Sequence, residues 1–278
     1  MFFASYQDSV EELRKIFNRL TLIMEGEAAI RFIDPVVFSI CLPLWDTDKD
    51  GYITEQEIST IRSFPNTIFE NRNDITSLDD LAKLAGYTYL NTFSGMTNLK
   101  TAHTGKRYSG NTIITSSVYM GYKDCISLER ITIDESIRSI ERMCFEGCTS
   151  LKTIIWGGNE ESIEGLAFAE SGLEEVILPD GIKQIGGPYV QYTFSACKQL
   201  RYMEIGTKIE LIKRGAFQDC SAMQVFVIHA ITPPTLEGDS FKNNSCIIYV
   251  PDASVTAYKS ANNWAAFSTR IKPISEKP

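Results

Sequence analysis

The segment Phe145-Glu-Gly-Cys148-Thr-Ser-Leu151-Lys-Thr-Ile154 determines the fold of this chain, because its pattern returns along the sequence. An aromatic residue is followed three positions later by cysteine, then at the same interval by a large aliphatic residue and another apolar residue. The clearest other copies are Tyr122-Lys-Asp-Cys125-Ile-Ser-Leu128-Glu-Arg-Ile131, Phe194-Ser-Ala-Cys197-Lys-Gln-Leu200-Arg-Tyr-Met203 and Phe217-Gln-Asp-Cys220-Ser-Ala-Met223-Gln-Val-Phe226.

The copies recur at a nearly constant spacing. Tyr122, Phe145 and Phe168 are 23 residues apart. The step from Phe168 to Phe194 is 26 residues, because the turn before Leu173 is one residue short and four extra residues follow later. A period of 23 residues is typical of leucine-rich repeats. Each unit is too small to bury its own apolar face, so the units are expected to stack and share one core.

The copies also carry large apolar residues in the pattern Leu-x-x-Ile-x-Ile or a close variant of it, which predicts a short strand whose alternate residues point inward. We therefore predict an α+β repeat fold, a solenoid of leucine-rich-repeat type, over residues 75–278. Its exposed ends require caps. The segment Ile248-Tyr-Val250-Pro251 predicts a last strand. Beyond it, apolar residues every three positions predict a helical lid within a C-terminal cap at about 233–278: Val255, Tyr258, Ala261, Trp264 and Phe267.

The segment 46–57 matches the twelve-residue calcium loop D-x-[DN]-x-[DN]-G-x5-E without a departure. Calcium takes oxygen ligands, and carboxylates at alternate early positions of such a loop converge on the ion. Five acidic residues and one lysine give the loop a formal charge of −4, which a cation would offset. The predicted ligands are the side chains of Asp46, Asp48, Asp50 and Glu57, the main-chain oxygen of Tyr52, and Thr54 directly or through water.

The loop is expected to lie in a small α-helical EF-hand-like domain over residues 1–74. Pro35 to Leu44 predicts the entering helix with Asp34 as N-cap, and a further amphipathic helix is predicted over residues 9–23. Calcium sensors commonly pair two loops and expose a methionine-rich groove. One loop and no methionine stripe are present here, which favours a structural calcium ion over a sensor.

Composition excludes several classes of function. The net charge is −8 and no cluster of lysine and arginine stands out, so no nucleic-acid partner is expected. The most apolar stretch, Val36 to Trp45, is too short to span a membrane, and no apolar signal core follows Met1. Two histidines and no recognisable catalytic motif indicate that the protein is not an enzyme. Four of the seven cysteines share one repeat position, which favours buried thiols over disulfides.

The repeat I-x-x-I-x-x-x-x-F-x-x-C-x-x-L-x-x-I resembles the leucine-rich repeats of BspA-like bacterial surface proteins. The tail Ile248-Tyr-Val-Pro, followed by Ala-Tyr-Lys and Trp-Ala-Ala-Phe, is similar to the C-terminal cap of that family. An acidic EF-hand-like loop preceding the repeats also resembles the family. The resemblance implies secretion or display at the cell surface of host-associated anaerobic bacteria. It also implies adhesin-like binding of host or bacterial proteins.

Candidate contact residues follow from the alternation within the strands, since solenoids commonly bind on their concave sheet. If leucine and isoleucine point inward, Ile155, Ile177 and Val227 become exposed aliphatic residues on one ridge, with Tyr202 beside them. A covering element would remove this patch, and both readings remain open. A second candidate is the insertion containing Tyr189 and Tyr192, because tyrosine-rich loops favour interfaces.

We therefore expect a non-enzymatic, adhesin-like protein-binding module with a structural calcium site. Two alternatives remain open from the sequence. The chain could be a passive structural spacer within a larger surface assembly, which a bare polar face would favour. Carboxylate pairs for glycoside hydrolysis leave a carbohydrate-active enzyme as the weaker alternative.

Overall fold

The computed structural model describes residues 29–60, 68–69, 72–83, 93–105, 108–109, 112–113, 116–118 and 121–278. The amphipathic helix predicted over residues 9–23 lies outside these residues. The described helices are α1 (Pro35–Trp45), α2 (Glu55–Thr60) and α3 (Val255–Ser260), with 3-10 helices at Asp79–Ala82, Asp252–Ser254, Ala265–Phe267 and Ile274–Glu276.

The strands are short and recur once or twice in each repeat. In chain order they are β1 (Ser77–Leu78), β2 (Thr101–His103), β3 (Tyr108–Ser109), β4 (Thr112–Ile113), β5 (Ser116–Val118), β6 (Arg130–Thr132), β7 (Ile137–Ile140), β8 (Thr153–Ile155), β9 (Ser162–Ile163), β10 (Glu175–Ile177), β11 (Gln184–Ile185), β12 (Tyr202–Ile205), β13 (Leu211–Ile212), β14 (Val225–Ile228), β15 (Thr235–Leu236), β16 (Ile247–Val250) and β17 (Ile271–Pro273).

Two parallel ladders run along the solenoid. The front face consists of the strands at the apolar pattern of the repeats, with β17 of the cap added at one end. They form the blocks β1-β2-β6-β8 and β10-β12-β14-β16-β17. The rear face is one six-stranded ladder in the order β15-β13-β11-β9-β7-β5, formed by the second apolar pair of each repeat. The separate pair β3-β4 is antiparallel. The leucine-rich-repeat solenoid predicted from the 23-residue period is confirmed.

The opening aromatic residues of the repeats form a continuous stack through the core. Neighbouring ring centroids lie 5.1–5.7 Å apart. The order along the stack is Phe93, Tyr122, Phe145, Phe168, Phe194, Phe217 and Phe241, and every member is buried. Each ring therefore packs against the equivalent ring of the adjacent repeats, which couples neighbouring units through the core.

The repeated cysteines connect the same units by hydrogen bonds. The thiols of Cys125, Cys148, Cys197 and Cys220 each donate to the main-chain oxygen of the aromatic residue that opens the preceding repeat, at 3.0–3.1 Å. All seven cysteines are buried and form no disulfide, as predicted. Burial raises the pKa of the Cys125 and Cys246 thiols to about 12. These thiols are consequently poor nucleophiles at neutral pH.

The C-terminal cap closes the last repeat. Tyr258 and Trp264 are fully buried, and they donate hydrogen bonds to the main-chain oxygens of Ala230 and Pro234, both at 2.8 Å. This confirms the predicted helical lid. The prediction of the last strand at residues 248–251 is wrong in one respect, because β17 pairs with β16 beyond it.

At the other end, Asp34 caps α1, as predicted, and also contacts the first strand of the solenoid. Its carboxylate accepts hydrogen bonds from the amides of Val36 and Val37 at 2.9 and 3.3 Å. The same carboxylate accepts from the amides of Thr76 and Ser77 at 2.9 and 3.1 Å. One buried side chain therefore joins the α1 segment to β1. The domain division between residues 74 and 75 stays a prediction.

Candidate functional site: the front face and the acidic loop

The front face is interrupted between β8 and β10. Every other pair of successive strands on this face forms a parallel ladder, whereas β8 and β10 do not pair. The interruption coincides with the repeat in which Ser171 replaces the cysteine and Leu173 comes one residue early. In this shortened turn the amide of Gly172 donates to the main-chain oxygen of Cys148 at 3.1 Å.

Core residues become accessible where the two strands separate. Ile154 is the inward position of β8, and Trp156 is the next inward position, directly after the strand. Both side chains are nevertheless half-buried. At these positions the other repeats hold buried residues, as Ile131 and Ile133 do in β6 and just after it. The separation forms a cleft of about 380 Å³. Its lining is Lys152, Thr153, Ile154, Trp156, Glu175, Val176 and Ile177.

Two predicted contact residues border this cleft on opposite sides. Ile155 on β8 is 46% exposed, and Ile177 on β10 is 62% exposed. They stand in the second outward position of their strands, as the alternation predicts. Branched aliphatic side chains at this level of exposure cost hydration free energy, which burial by a partner would recover.

The predicted exposure of Val227 is wrong. Val227 lies in the equivalent outward position of β14 but is only 1% exposed. The C-terminal segment after β17 reaches the strand beside β14, from which we infer that it helps to cover Val227. The Nζ atom of Lys277 lies 3.1 Å from the hydroxyl of Tyr202 on β12. The strand that carries Val227, β14, lies between β12 and β16. The ridge therefore consists of Ile155 and Ile177 and ends before Val227.

Tyr202 is half-buried within a polar cluster. Its hydroxyl donates to the carboxylate of Glu204, whose other oxygen lies 2.8 Å from Nε2 of His229. The Lys277 ammonium also lies 5.3 Å from the centre of the Tyr202 ring. Burial and the hydrogen bond to Glu204 raise the pKa of Tyr202. The sequence pattern contained no signal for this cluster, because Lys277 lies outside the repeats.

The insertion that follows β11 separates its two tyrosines. Tyr189 is 91% exposed, whereas Tyr192 is half-buried. Tyr192 packs so closely on Gly215 that a Cβ atom there would lie 2.2 Å from its ring. Tyr189 follows a rear-face strand, so the structure does not bring it together with Ile155 and Ile177 on the front face.

The acidic loop brings three predicted ligands together. One carboxylate oxygen from each of Asp46, Asp48 and Asp50 lies within 4.8 Å of the others. Asp46 accepts hydrogen bonds from the amides of Asp50 and Gly51 at 3.1 and 2.9 Å. Gly51 has a φ of 91°, a conformation that glycine adopts readily. Burial and the neighbouring carboxylates raise the pKa of Asp50.

Glu57, the twelfth residue of the loop, holds the loop closed through hydrogen bonds. Its two carboxylate oxygens accept from the amides of Thr47 and Thr54 at 2.7 and 2.9 Å. Burial alone would raise the pKa of Glu57, but these bonds outweigh it and lower the pKa. The Thr54 hydroxyl accepts from the Glu57 amide at 3.2 Å, completing the capping box at the start of α2. The three carboxylates that converge in the loop do not include Glu57.

A short β-bridge holds the later part of the loop. Ile53 is fully buried, and its main-chain oxygen accepts from the Ile30 amide at 2.8 Å. Ala29 and Thr54 form an antiparallel bridge beside this bond. The residues predicted as ligands offer oxygen atoms only, which is the donor set that calcium prefers.

The family described as "BspA type Leucine rich repeat region" matches six copies over residues 112–248. These repeats are leucine-rich repeats of the BspA type. Among curated proteins, none matches this chain. In the described part of the chain, no helix is long and apolar enough to cross a membrane.

Three solved structures are similar to parts of this chain. The leucine-rich-repeat protein TpLRR of T. pallidum is 19% identical, with a TM-score of 0.40, covering 60% of this chain and 80% of that one. The pneumococcal vaccine antigen PcpA is 25% identical, with a TM-score of 0.42, covering 56% and 37%. A leucine-rich-repeat protein from Bacteroides ovatus ATCC 8483 is 21% identical, with a TM-score of 0.42, covering 69% and 52%.

The role of Trp156 in the floor of the cleft was not predicted from the sequence. Trp156 occupies a BspA-type repeat position that holds isoleucine, leucine or valine in the neighbouring copies. A tryptophan at that position, followed by a turn shortened by one residue, was the available signal. Its ring makes an edge contact with Phe168 at 6.1 Å, so one side of the indole is anchored to the core.

Proposed function

We propose that this chain is the protein-binding module of a secreted or surface-displayed bacterial protein and that it binds partners through the front face around Ile155 and Ile177. The observation that carries the proposal is the exposure of these two aliphatic side chains beside a cleft with an apolar floor. Contact regions on proteins combine such apolar centres with a polar rim. Lys152 and Glu175 supply a rim of this kind.

The same observation weighs against a passive spacer. A spacer gains nothing from exposed isoleucines, since exposed apolar groups cost solubility. The BspA-type family supports the interaction role, because leucine-rich repeats generally serve binding. The proposed location at the cell surface rests on the same family.

We further propose that the acidic loop binds a calcium ion that stabilises the segment around α1 and α2. Support comes from three converging carboxylates, a full twelve-residue pattern and a formal charge that a divalent cation would offset. Asp46, Asp48, Asp50, Glu57, Thr54 and the main-chain oxygen of Tyr52 would supply the oxygens. The ion would act as structural support rather than as part of the contact surface.

A binding screen tests the proposed function. The parent chain and an Ile155→Asp, Ile177→Asp double variant would be measured against purified host extracellular-matrix and bacterial surface proteins in calcium-containing buffer. The matched control is Ile231→Asp, which changes an isoleucine that is 75% exposed elsewhere. Binding that survives Ile231→Asp and is lost in the folded double variant supports the proposal. Parent binding that the double variant retains would place the contact elsewhere.

A further inference from the structure

The inserted turn after β11 forms one wall of a cavity beside the rear-face strands. The Gly187 amide closes this turn by donating to the main-chain oxygen of Val190 at 3.2 Å. The turn lies so close to the repeat of β9 that Gly165 has no room for a Cβ atom beside the same oxygen. The cavity has a volume of about 420 Å³. Its lining includes Glu141, Arg142 and Glu164 from the repeats and Pro188 and Tyr189 from the turn.

Glu141 and Glu164 occupy the same position in successive repeats. Each directly follows the last residue of a rear-face strand, Ile140 in β7 or Ile163 in β9. These two isoleucines are partners in the parallel ladder, and the Glu164 amide donates to the Ile140 oxygen at 2.8 Å. Two half-buried glutamates therefore lie in neighbouring repeats at the same register.

The equivalent position further along the solenoid carries opposite charges. Lys213 follows β13 and Glu237 follows β15, and they form an ion pair at 2.8 Å. Glu141 and Glu164 are like charges instead, and neither takes part in an ion pair with another described residue. Burial and the charge of Glu141 raise the pKa of Glu164. A cation placed between two such carboxylates would relieve their repulsion.

The other side chains of the cavity suit a cationic ligand. With Arg142, the described side chains of the lining amount to two acids and one base, a net charge of −1. Tyr189 is 91% exposed at the turn, and the face of a tyrosine ring attracts cations. Gly187 has no room for a Cβ atom beside the carboxylate of Glu164. The carboxylate therefore lies directly against the turn that carries Tyr189.

We propose that this rear cavity binds a lysine or arginine side chain from a basic segment of a partner protein. The cationic group lies between the carboxylates of Glu141 and Glu164, and its aliphatic stem packs against the ring of Tyr189. The cavity lies beside the rear ladder, whereas Ile155 and Ile177 belong to the front face. Binding in the rear cavity is thus a second contact that does not depend on the front face.

A peptide selection tests the proposed site on the full chain in calcium-containing buffer. Peptides from a random decapeptide library that bind a Glu141→Gln, Glu164→Gln double variant are removed, and the parent chain then selects from the remainder. We expect the enriched peptides to share a lysine or arginine. Their dissociation constants should be at least about tenfold higher for the double variant, as for the loss of a close charge pair.

Two controls separate the site from general attraction to an acidic protein. Glu129→Gln, Glu276→Gln removes the same charge at exposed positions, so its affinity should stay within about twofold of the parent. Tyr189→Phe keeps the ring and should also stay within about twofold, whereas Tyr189→Ala should bind about threefold more weakly. Circular dichroism and thermal unfolding check that each variant folds.

Several results would overturn the proposed site. Equal weakening in the two double variants would show that only the net charge of the protein matters. A selection that yields no peptide dependent on Glu141 and Glu164, or only peptides without a basic residue, would contradict the cationic ligand. Neutral oligosaccharides, measured on the same proteins, would replace the basic segment as the ligand if they bind the parent and not Tyr189→Ala. Binding through Ile155 and Ile177 would be unaffected by each of these results.

Discussion

The thiol of Cys148 donates a hydrogen bond to the main-chain oxygen of Tyr122 at 3.0 Å, so that its repeat satisfies a carbonyl of the one before it. Cys125, Cys197 and Cys220 make the equivalent bond. In the last copy, Asn244 takes the cysteine position and its Nδ2 donates to the Phe217 oxygen, also at 3.0 Å. The repeat position therefore requires a buried donor. Cysteine suits it because its weakly polar thiol costs little to bury.

Replacing this donor should destabilise the solenoid. We expect Cys148→Ala to lower the free energy of unfolding by about 2 kcal/mol, because it leaves a buried carbonyl unpaired and a small cavity. Urea denaturation followed by circular dichroism measures the change. The exposed-site control Lys198→Ala should change stability by less than about 0.5 kcal/mol. A similarly small effect of Cys148→Ala would show that the bond contributes little.

The contact of Asp34 with both α1 and β1 should make stability depend on pH. Burial is the largest influence on its carboxyl and would raise its pKa, but the four amide hydrogen bonds outweigh it and lower the pKa. A lowered pKa stabilises the fold above the ordinary value of about 4, and the gain disappears as pH falls through the folded-state pKa. Asp34→Asn should therefore cost about 2 kcal/mol at neutral pH.

Urea unfolding of the parent and Asp34→Asn at neutral pH and below pH about 4 measures this dependence. The difference between the two proteins should shrink as the pH falls. The exposed control Glu276→Gln should follow the parent at both pH values. A difference that persists undiminished in acid would mean that the charge of Asp34 is not what holds the two segments together.

The calcium proposal predicts stabilisation by mass action. At a calcium concentration about one hundred times the dissociation constant, the site should add about 2.7 kcal/mol to the stability of the folded state. Calorimetric titration and thermal unfolding, with calcium and then magnesium, measure binding and its effect. The Asp46→Asn, Asp48→Asn double variant should lose both calcium binding and stabilisation by calcium. Glu276→Gln should leave calcium binding and stabilisation unchanged. Equal stabilisation of the parent and the double variant would rule out this loop as the site.

The C-terminal segment is expected to shield part of the front face. Because all seven native cysteines are buried, labelling would report on the thiol introduced by Val227→Cys with little background. We expect the Val227→Cys thiol to react slowly in the full chain. Removal of residues 274–278 should make it react at least about tenfold faster, because exposure controls thiol reactivity. Ile177→Cys, at an exposed site, should react rapidly in both. Fast labelling of Val227→Cys in the full chain would contradict the covering role of Lys277 and its neighbours.

The repeat architecture was predictable because it depends on local, periodic signals. The 23-residue spacing indicated the solenoid, and the apolar residues around Tyr258 and Trp264 indicated the lid. The acidic loop was recognisable in the same way, from the fixed spacing of its carboxylates. In each case neighbouring residues in the sequence are also neighbours in the structure.

The features that were not predicted depend on contacts between residues that are far apart in the sequence. The burial of Val227 was not foreseen, and the contact of Lys277 with Tyr202 on the neighbouring strand spans 75 residues with no periodic signal. The shortened turn before Leu173 was visible in the sequence, yet its effect on the pairing of β8 and β10 required the positions of both strands. The cleft beside Ile154 and Trp156 was therefore not foreseen.

The most direct test of the account is the affinity of the front face for its tightest partner from the protein panel, measured by surface plasmon resonance. The Ile155→Asp, Ile177→Asp double variant loses two isoleucine contacts that the partner would bury and places charges in the interface. It should therefore bind at least about one hundredfold more weakly. Ile231→Asp should bind within about twofold of the parent. Equal affinity of the folded double variant and the parent would contradict binding through this face.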